Sequence, residues 1–298
     1  MTAHHGAAPA DALCFAAVAE AYERARPSYP ADAAAWLVGD RRANVVELGA
    51  GTGKLTELLV AAGHDVVATD PVPEMLGILR ERVPGARAAI ASAEHIPVAS
   101  HSADVVVCAQ SFHWFDHAVA LPEIARVLRP GGSLALVWNV RDDRIPWVRR
   151  LGTLLDGHRF RASGAVSSLT LPAEESEHFG WVEPQEFRFW QSLGRGDLLD
   201  LVRSRAFVAV LEEGTRADLL RRVGELYDEY GRGPDGMRLP YLTRCHKAIV
   251  RHQDPTPPVP EAWPADRAAA HGSGAARPTV PEQPLPVDDP GTVLIDFK

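Results

Sequence analysis

Residues Val45–Lys54 read Val-Val-Glu-Leu-Gly-Ala-Gly-Thr-Gly-Lys, a short apolar run followed by three evenly spaced glycines and the start of a helical pattern. A strand that turns through glycine directly into a helix leaves few folds open. It places a backbone turn at the carboxyl end of a strand, where main-chain N–H groups can meet a ligand. The flanking sequence agrees. Further runs at Val66–Thr69, Ala88–Ala91, Val105–Ala109 and Leu134–Trp138 are largely apolar rather than alternating, which suits strands covered on both faces of a parallel sheet. Helical patterns separate them. Lys54–Ala62 is closed by Gly63. Pro73 opens a helix with an apolar face of Met75, Leu76, Leu79 and Val83, ended by Pro84-Gly85. Pro122–Leu128 stops at Pro130-Gly131-Gly132. This β-α-β-α repetition predicts a doubly wound α/β sheet with right-handed crossovers.

Three ligand chemistries use a glycine turn of this kind. A phosphate loop requires G-x-x-x-x-G-K-[ST], but reading back from Gly53-Lys54 finds Leu48 in place of the first Gly and Leu55 in place of Ser/Thr. A dinucleotide fingerprint requires G-x-G-x-x-G, and its sixth position here is Lys54. The spacing weakens a nicotinamide-dependent oxidoreductase without excluding it.

Glu47-Leu48-Gly49-Ala50-Gly51-Thr52-Gly53 resembles motif I of class I S-adenosylmethionine-dependent methyltransferases. Two more segments are similar to that family: Ala91-Ser92-Ala93-Glu94-His95-Ile96-Pro97, and Glu123–Arg129 leading into Pro130-Gly131-Gly132. The likeness spans Tyr22 to about Ile249. Tyr22–Pro30, Phe112–Phe115 and Leu239–Thr243 are similar to small-molecule members of the generic or trans-aconitate-like subgroup. The resemblance implies a Rossmann-like, mostly parallel seven-stranded sheet with helices on both faces and an antiparallel last strand. It implies S-adenosylmethionine as cofactor, held by Glu47, Gly49, Ala50, Gly51 and Gly53. Asp70, followed by Pro71, would accept hydrogen bonds from the ribose hydroxyls. Ser92, Ala93 and Glu94 would pass the adenine edge, with Ser92 where the family commonly has Asp. Gln110 would meet the cofactor from the fourth strand, and Tyr22 from a segment folded over the pocket.

Methyl transfer needs an aligned nucleophile, and a base only where the acceptor is a hydroxyl or a protonated amine. His113, in Ser111-Phe112-His113-Trp114-Phe115-Asp116-His117 after the fourth run, is the candidate base or positioning group. Trp114 and Phe115 are candidates for an apolar wall, Asp116 for a helix cap, and His117 for the surface. Arg26 is a candidate partner for a carboxylate of the cofactor or of an acidic acceptor, and Tyr241, Arg203 and Arg205 are candidates for the acceptor pocket.

A net charge of −8 argues against nucleic acid or an anionic membrane as partner, and no apolar run approaches a membrane span. Cys14, Cys108 and Cys245 form no C-x-x-C pair, Cys108 sits in a core-like run, and no metal site is expected. With no signal-peptide pattern, a cytoplasmic location is expected. The chain divides into a flexible 1–11, a methyltransferase domain at 12–252, and a Pro-rich tail at 253–298. Within the domain, 12–39 is a helical lid, 44–139 the cofactor core, and 141–250 the acceptor side. The tail composition predicts disorder with a frayed end, and offers a site for a protein partner. The expected function is methyl transfer to a small molecule, with oxygen acceptors favoured, by a monomer or homodimer. A noncatalytic cofactor-binding interaction protein is the alternative.

Overall fold

The computed structural model describes residues 23–156, 166–231, 233, 236–251, 294, 295 and 297. The expectations for Tyr22, for the 1–11 terminus and for most of the tail lie outside that set. Helix α1 (Ala31–Val38) leads into β1 (Asn44–Leu48), α2 (Lys54–Ala61), β2 (Asp65–Asp70), α3 (Pro73–Arg82) and β3 (Arg87–Ile90). The chain then crosses back to β4 (Ala103–Ala109), a 3-10 turn at Phe112–Trp114, α4 (His117–Val127) and β5 (Leu128–Arg141). The chain continues through α5 (Pro146–Asp156), α6 (Val166–Glu174), β6 (Phe179–Leu193), α7 (Arg195–Arg203), α8 (Ala206–Ala209), α9 (Glu213–Tyr230) and β7 (Met237–Val250).

The seven strands lie in the order β3-β2-β1-β4-β5-β7-β6. β1 pairs in parallel with β2 and with β4, so the strand order reverses beside it, at the point where open α/β sheets bind ligands. β7 runs antiparallel to both β5 and β6, and the doubly wound sheet with an antiparallel last strand is as expected. The apolar runs are continuous because both faces are covered. Val46, Leu48, Val106, Cys108, Leu134 and Leu136 enter the core on one face with Ile124 of α4. Val45, Val66, Val105, Val107 and Val137 enter the core on the other, with Leu37 of α1 and Leu59 of α2. Leu201, Leu219 and Tyr241 belong to a third cluster, built from α5, α7, α9 and the start of β7.

Two local expectations shift, at the start of α4 and near the chain end. α4 starts at His117, well before Pro122, because the Asp116 carboxylate accepts the Ala118 N–H at 3.1 Å and caps it. α7 starts at Arg195, where Asp197 Oδ2 accepts the Gly194 N–H at 2.8 Å. The chain end is docked rather than frayed. Ile295 N donates to Pro97 O at 2.7 Å, Ile295 and Phe297 pack against the core, and the Arg87 guanidinium lies over the Phe297 ring at 5.4 Å.

Phe112 is fully buried under the turn that carries His113. Phe112→Ala is expected to lower stability by about 3–5 kcal/mol, as for other buried aromatic truncations. Urea denaturation measures this, and a loss well under that range would mean the turn is not anchored there.

Candidate active site

The carboxyl ends of β1, β2, β3, β4 and β5 and the start of β7 share one edge of the sheet, and most candidate residues meet there. Gly49 and Gly51 both take left-handed backbone, with φ of 70° and 58°. A Cβ at Gly49 would strike the Ser111 side chain, whose Oγ donates to Leu48 O at 2.6 Å. A Cβ at Gly51 would meet nothing within 4 Å. One glycine is therefore demanded by protein packing, whereas the other borders open space.

Asp70 closes the turn from the side. Its Oδ2 accepts the Gly51 N–H at 2.8 Å, and its Oδ1 accepts the Val72 N–H at 2.9 Å. Burial raises its pKa, and those two N–H donors work in the opposite direction. Glu47 lies beneath the loop. Thr56 Oγ1 donates to its Oε2 at 2.6 Å, while Oε1 is buried without a hydrogen-bond partner among the described residues. Burial, with a smaller contribution from nearby Asp70, pushes the Glu47 pKa up to about 8 against the Thr56 hydrogen bond.

The segment after β3 joins the same edge. Ala93 is buried, Ser92 O accepts the His95 N–H at 3.2 Å, and Glu94 Oε1 accepts the Asp116 N–H at 2.9 Å. Glu94 thus ties this segment to the one carrying His113. Gln110 has φ of 59°, unusual for a non-glycine residue, and its Nε2 donates to Asn139 O at 3.2 Å. His113 is exposed on the 3-10 turn, with the Trp114 ring 4.8 Å from its own. Phe115 packs edge-on to Phe112 at 5.9 Å. His117 is not a surface residue: its ring lies 4.5 Å from Phe112, and its Nε2 is 3.0 Å from Phe112 O.

In the C-terminal part, expected to face the acceptor, Tyr241 is buried and stacks on Phe189 at 5.0 Å. Arg26 Nε donates to Ser204 Oγ at 3.1 Å, which draws the N-terminal segment onto the end of α7. Arg203, expected in the pocket, instead pairs with Asp200 on the exposed side of α7 at 2.8 Å. Helical periodicity explains the difference, since positions three apart share one face.

Sequence reasoning missed three anchors. Asn139 donates to Ser28 O at 3.0 Å and accepts from Thr243 Oγ1 at 2.6 Å. Lys54 Nζ donates to Glu23 O at 2.6 Å and to Glu23 Oε1 at 2.9 Å, and Arg82 pairs with Glu23 at 2.5 Å. All three join residues far apart in sequence, so no local motif announces them.

The raised pKa of Glu47 has a definite sign. Between about 4.5, its ordinary value, and about 8, the unfolded chain releases this proton and the folded chain keeps it. Stability therefore falls as pH rises through that window. In the ligand-free protein, Glu47→Gln should melt several degrees above wild type near pH 8.5 and close to it near pH 5. Parallel pH profiles of the two melting temperatures would refute the assignment.

Residues 46–136 match the family model of a methyltransferase domain. Over 242 residues the chain is 44% identical to an uncharacterized methyltransferase of Mycobacterium tuberculosis, covering 80% of this chain and 96% of that one. It is 31% identical over 220 residues to the trans-aconitate 2-methyltransferase of Methylobacterium nodulans, covering 67% and 82% respectively. A solved structure from Anaeromyxobacter dehalogenans, provisionally classed as a type II methyltransferase, shares the fold. Its TM-score is 0.58 at 24% identity, over 76% of this chain and 97% of that one. With its glycine turn, Asp70 and strand order in the places that the fold requires, the chain belongs to the class I S-adenosylmethionine-dependent methyltransferases.

Proposed function

We propose that this protein transfers a methyl group from S-adenosylmethionine to an oxygen nucleophile, hydroxyl or carboxylate, on a small-molecule acceptor. The observation that carries the cofactor assignment is the open space at Gly51, bordered by Asp70, together with the buried Glu47 Oε1, which has no hydrogen-bond partner among the described residues. A backbone without a side chain suits close approach of a ligand, and a buried acceptor atom suits a donor such as the methionine ammonium. The residues present fit the group. Glu47, Gly49, Ala50 and Gly51 would hold its methionine end, Asp70 its ribose, and Ser92, Ala93 and Glu94 would flank its base.

When bound, S-adenosylmethionine supplies an electrophilic methyl group on a sulfonium that is its own leaving group. The protein contributes alignment and the handling of one proton. His113, on the 3-10 turn after β4, can take the proton of a hydroxyl acceptor on a ring nitrogen. A carboxylate acceptor arrives ionised and asks nothing of His113. The segment 23–30 bears on Lys54, Ser204 and Asn139, and so restricts access to this edge. The relative named for trans-aconitate supports an acceptor that carries carboxylates.

S-adenosylhomocysteine should raise the melting temperature, and NAD should leave it unchanged. Calorimetry showing NAD binding without S-adenosylhomocysteine binding would overturn the proposal. Asp70→Asn should weaken cofactor binding by about 10- to 100-fold, the worth of a charge-assisted hydrogen bond. His113→Ala should cut turnover of a hydroxyl acceptor by about a hundredfold while sparing cofactor affinity. Undiminished turnover in that variant would leave the imidazole no proton to carry.

A further inference from the structure

The crossover between β3 and β4 is held by two partners, and one of them is the end of the chain. Ile96, Pro97 and Val98 present three successive carbonyls. Arg126 of α4 takes the first and third: Nη2 donates to Ile96 O at 3.0 Å and Nη1 to Val98 O at 3.1 Å. Glu123, which pairs with Arg126 at 2.7 Å, accepts the Ile96 N–H at 2.8 Å. The middle carbonyl, Pro97 O, accepts instead from Ile295 N at 2.7 Å. Ile295 and Phe297 pack against the core cluster that contains Ala93, Ile96 and Val98, while Leu294 is half exposed. Alternate residues facing the protein are what an extended segment laid on a surface presents. Arg87 of the edge strand β3 lies over the Phe297 ring at 5.4 Å, and Asp65 holds that guanidinium in turn. A hydrogen bond, apolar packing and a cation–π contact thus converge on two residues of the terminus.

We propose that Ile295 and Phe297 are positioning residues for the cofactor: the chain's own terminus, reached through residues 252–293, braces the crossover that carries Ser92, Ala93 and Glu94. The proposal rests on the methyltransferase reading above, in which those three residues flank the base, and adds a control on cofactor affinity. The path is short. Ala93 and Ile96 belong to the cluster on which the terminus packs, and Ser92 O accepts the His95 N–H at 3.2 Å. Glu94 Oε1 accepts the Asp116 N–H at 2.9 Å, which carries the same brace to the segment bearing His113. A segment ordered before its ligand arrives loses less entropy on binding, so the brace raises affinity without touching the ligand. The occupant of this surface is intramolecular because a flexible tether keeps it at an effective concentration on the order of millimolar. One main-chain bond and two partly buried side chains are a small contact beside the seven-stranded core, so it opens without unfolding the sheet.

The test uses the full chain carrying Ile295→Asp and Phe297→Ala together. Amide hydrogen exchange should quicken by about tenfold or more at His95, Ile96 and Val98, and stay within about twofold in β1, β4 and β5. Affinity for S-adenosylhomocysteine, measured by calorimetry, should fall by about threefold or more. A synthetic peptide of residues 291–298, added in excess, should restore both, and the same peptide with Phe297→Ala should restore neither. Unchanged exchange at those three amides would overturn the proposal. So would exchange quickened evenly across the sheet, which would reduce the contact to general stability. Local quickening with S-adenosylhomocysteine affinity intact would show that the brace stops short of the cofactor and end the proposal. Wild-type protection that rises with protein concentration would place the terminus on a second copy and overturn the intramolecular brace. Failure of wild type to bind S-adenosylhomocysteine would instead sink the methyltransferase reading, while the local exchange still decides the brace.

Discussion

The two backbone N–H groups held by Asp70 are the constraint on which the cofactor side depends. One carboxylate, at the end of β2, accepts from Gly51 in the turn after β1 and from Val72 at the entry to α3. It fixes the distance between two neighbouring βα turns, so the open space at Gly51 keeps its shape without a ligand. The cost is burial of an acid, visible in its raised pKa. Glu47 lies in the same buried patch, and the Asp70 carboxylate adds to the burial that makes its ionisation less favourable. Such strain is tolerable where a cation is to be received, because a charged partner then restores the ionised form.

The C-terminal part of the sheet obeys different physics. It is built on the antiparallel β5-β7 pair and on a helical cluster with its own core, not on glycine turns. Three arginines bear on its buried Tyr241 phenol: Arg141 of β5, Arg205 at the α7-α8 junction and Arg26 of the N-terminal segment. Residues 23–30 connect the two sides. Glu23 is held by Lys54 and Arg82 beside the glycine turn, Ser28 O by Asn139 at the end of β5, and Ala25 O by Gln191 of β6. One short segment thereby couples the cofactor turn to the acceptor pocket through bonds that each span more than thirty residues of sequence or link separate strands.

Much of the cofactor half was legible in the sequence by itself. Uninterrupted apolar runs announced strands covered on both faces, and the evenly spaced glycines announced a turn no phosphate loop could make. Asp116 was readable because its role is local: it caps the helix it precedes. The acceptor half was less legible. Arg203 and Arg205 looked alike in the sequence, but Arg203 pairs with Asp200 on the exposed side of α7, whereas Arg205 lies past the end of that helix as the N-cap of α8. His117 looked like surface, and the turn at Phe112–Trp114 folded it against Phe112.

What the sequence determined alone was therefore periodic or short-range: strand and helix pattern, turn chemistry, caps, and the identity of the cofactor turn. What the tertiary structure decided was every relation between distant segments. The bond of Arg26 to Ser204, the clamp of Glu23 by Lys54 and Arg82, and the docking of Ile295 on Pro97 belong to this class. The physical reason is that a motif encodes backbone geometry over a few residues. A charge cluster depends on strand register and helix packing, which are fixed only when the core closes.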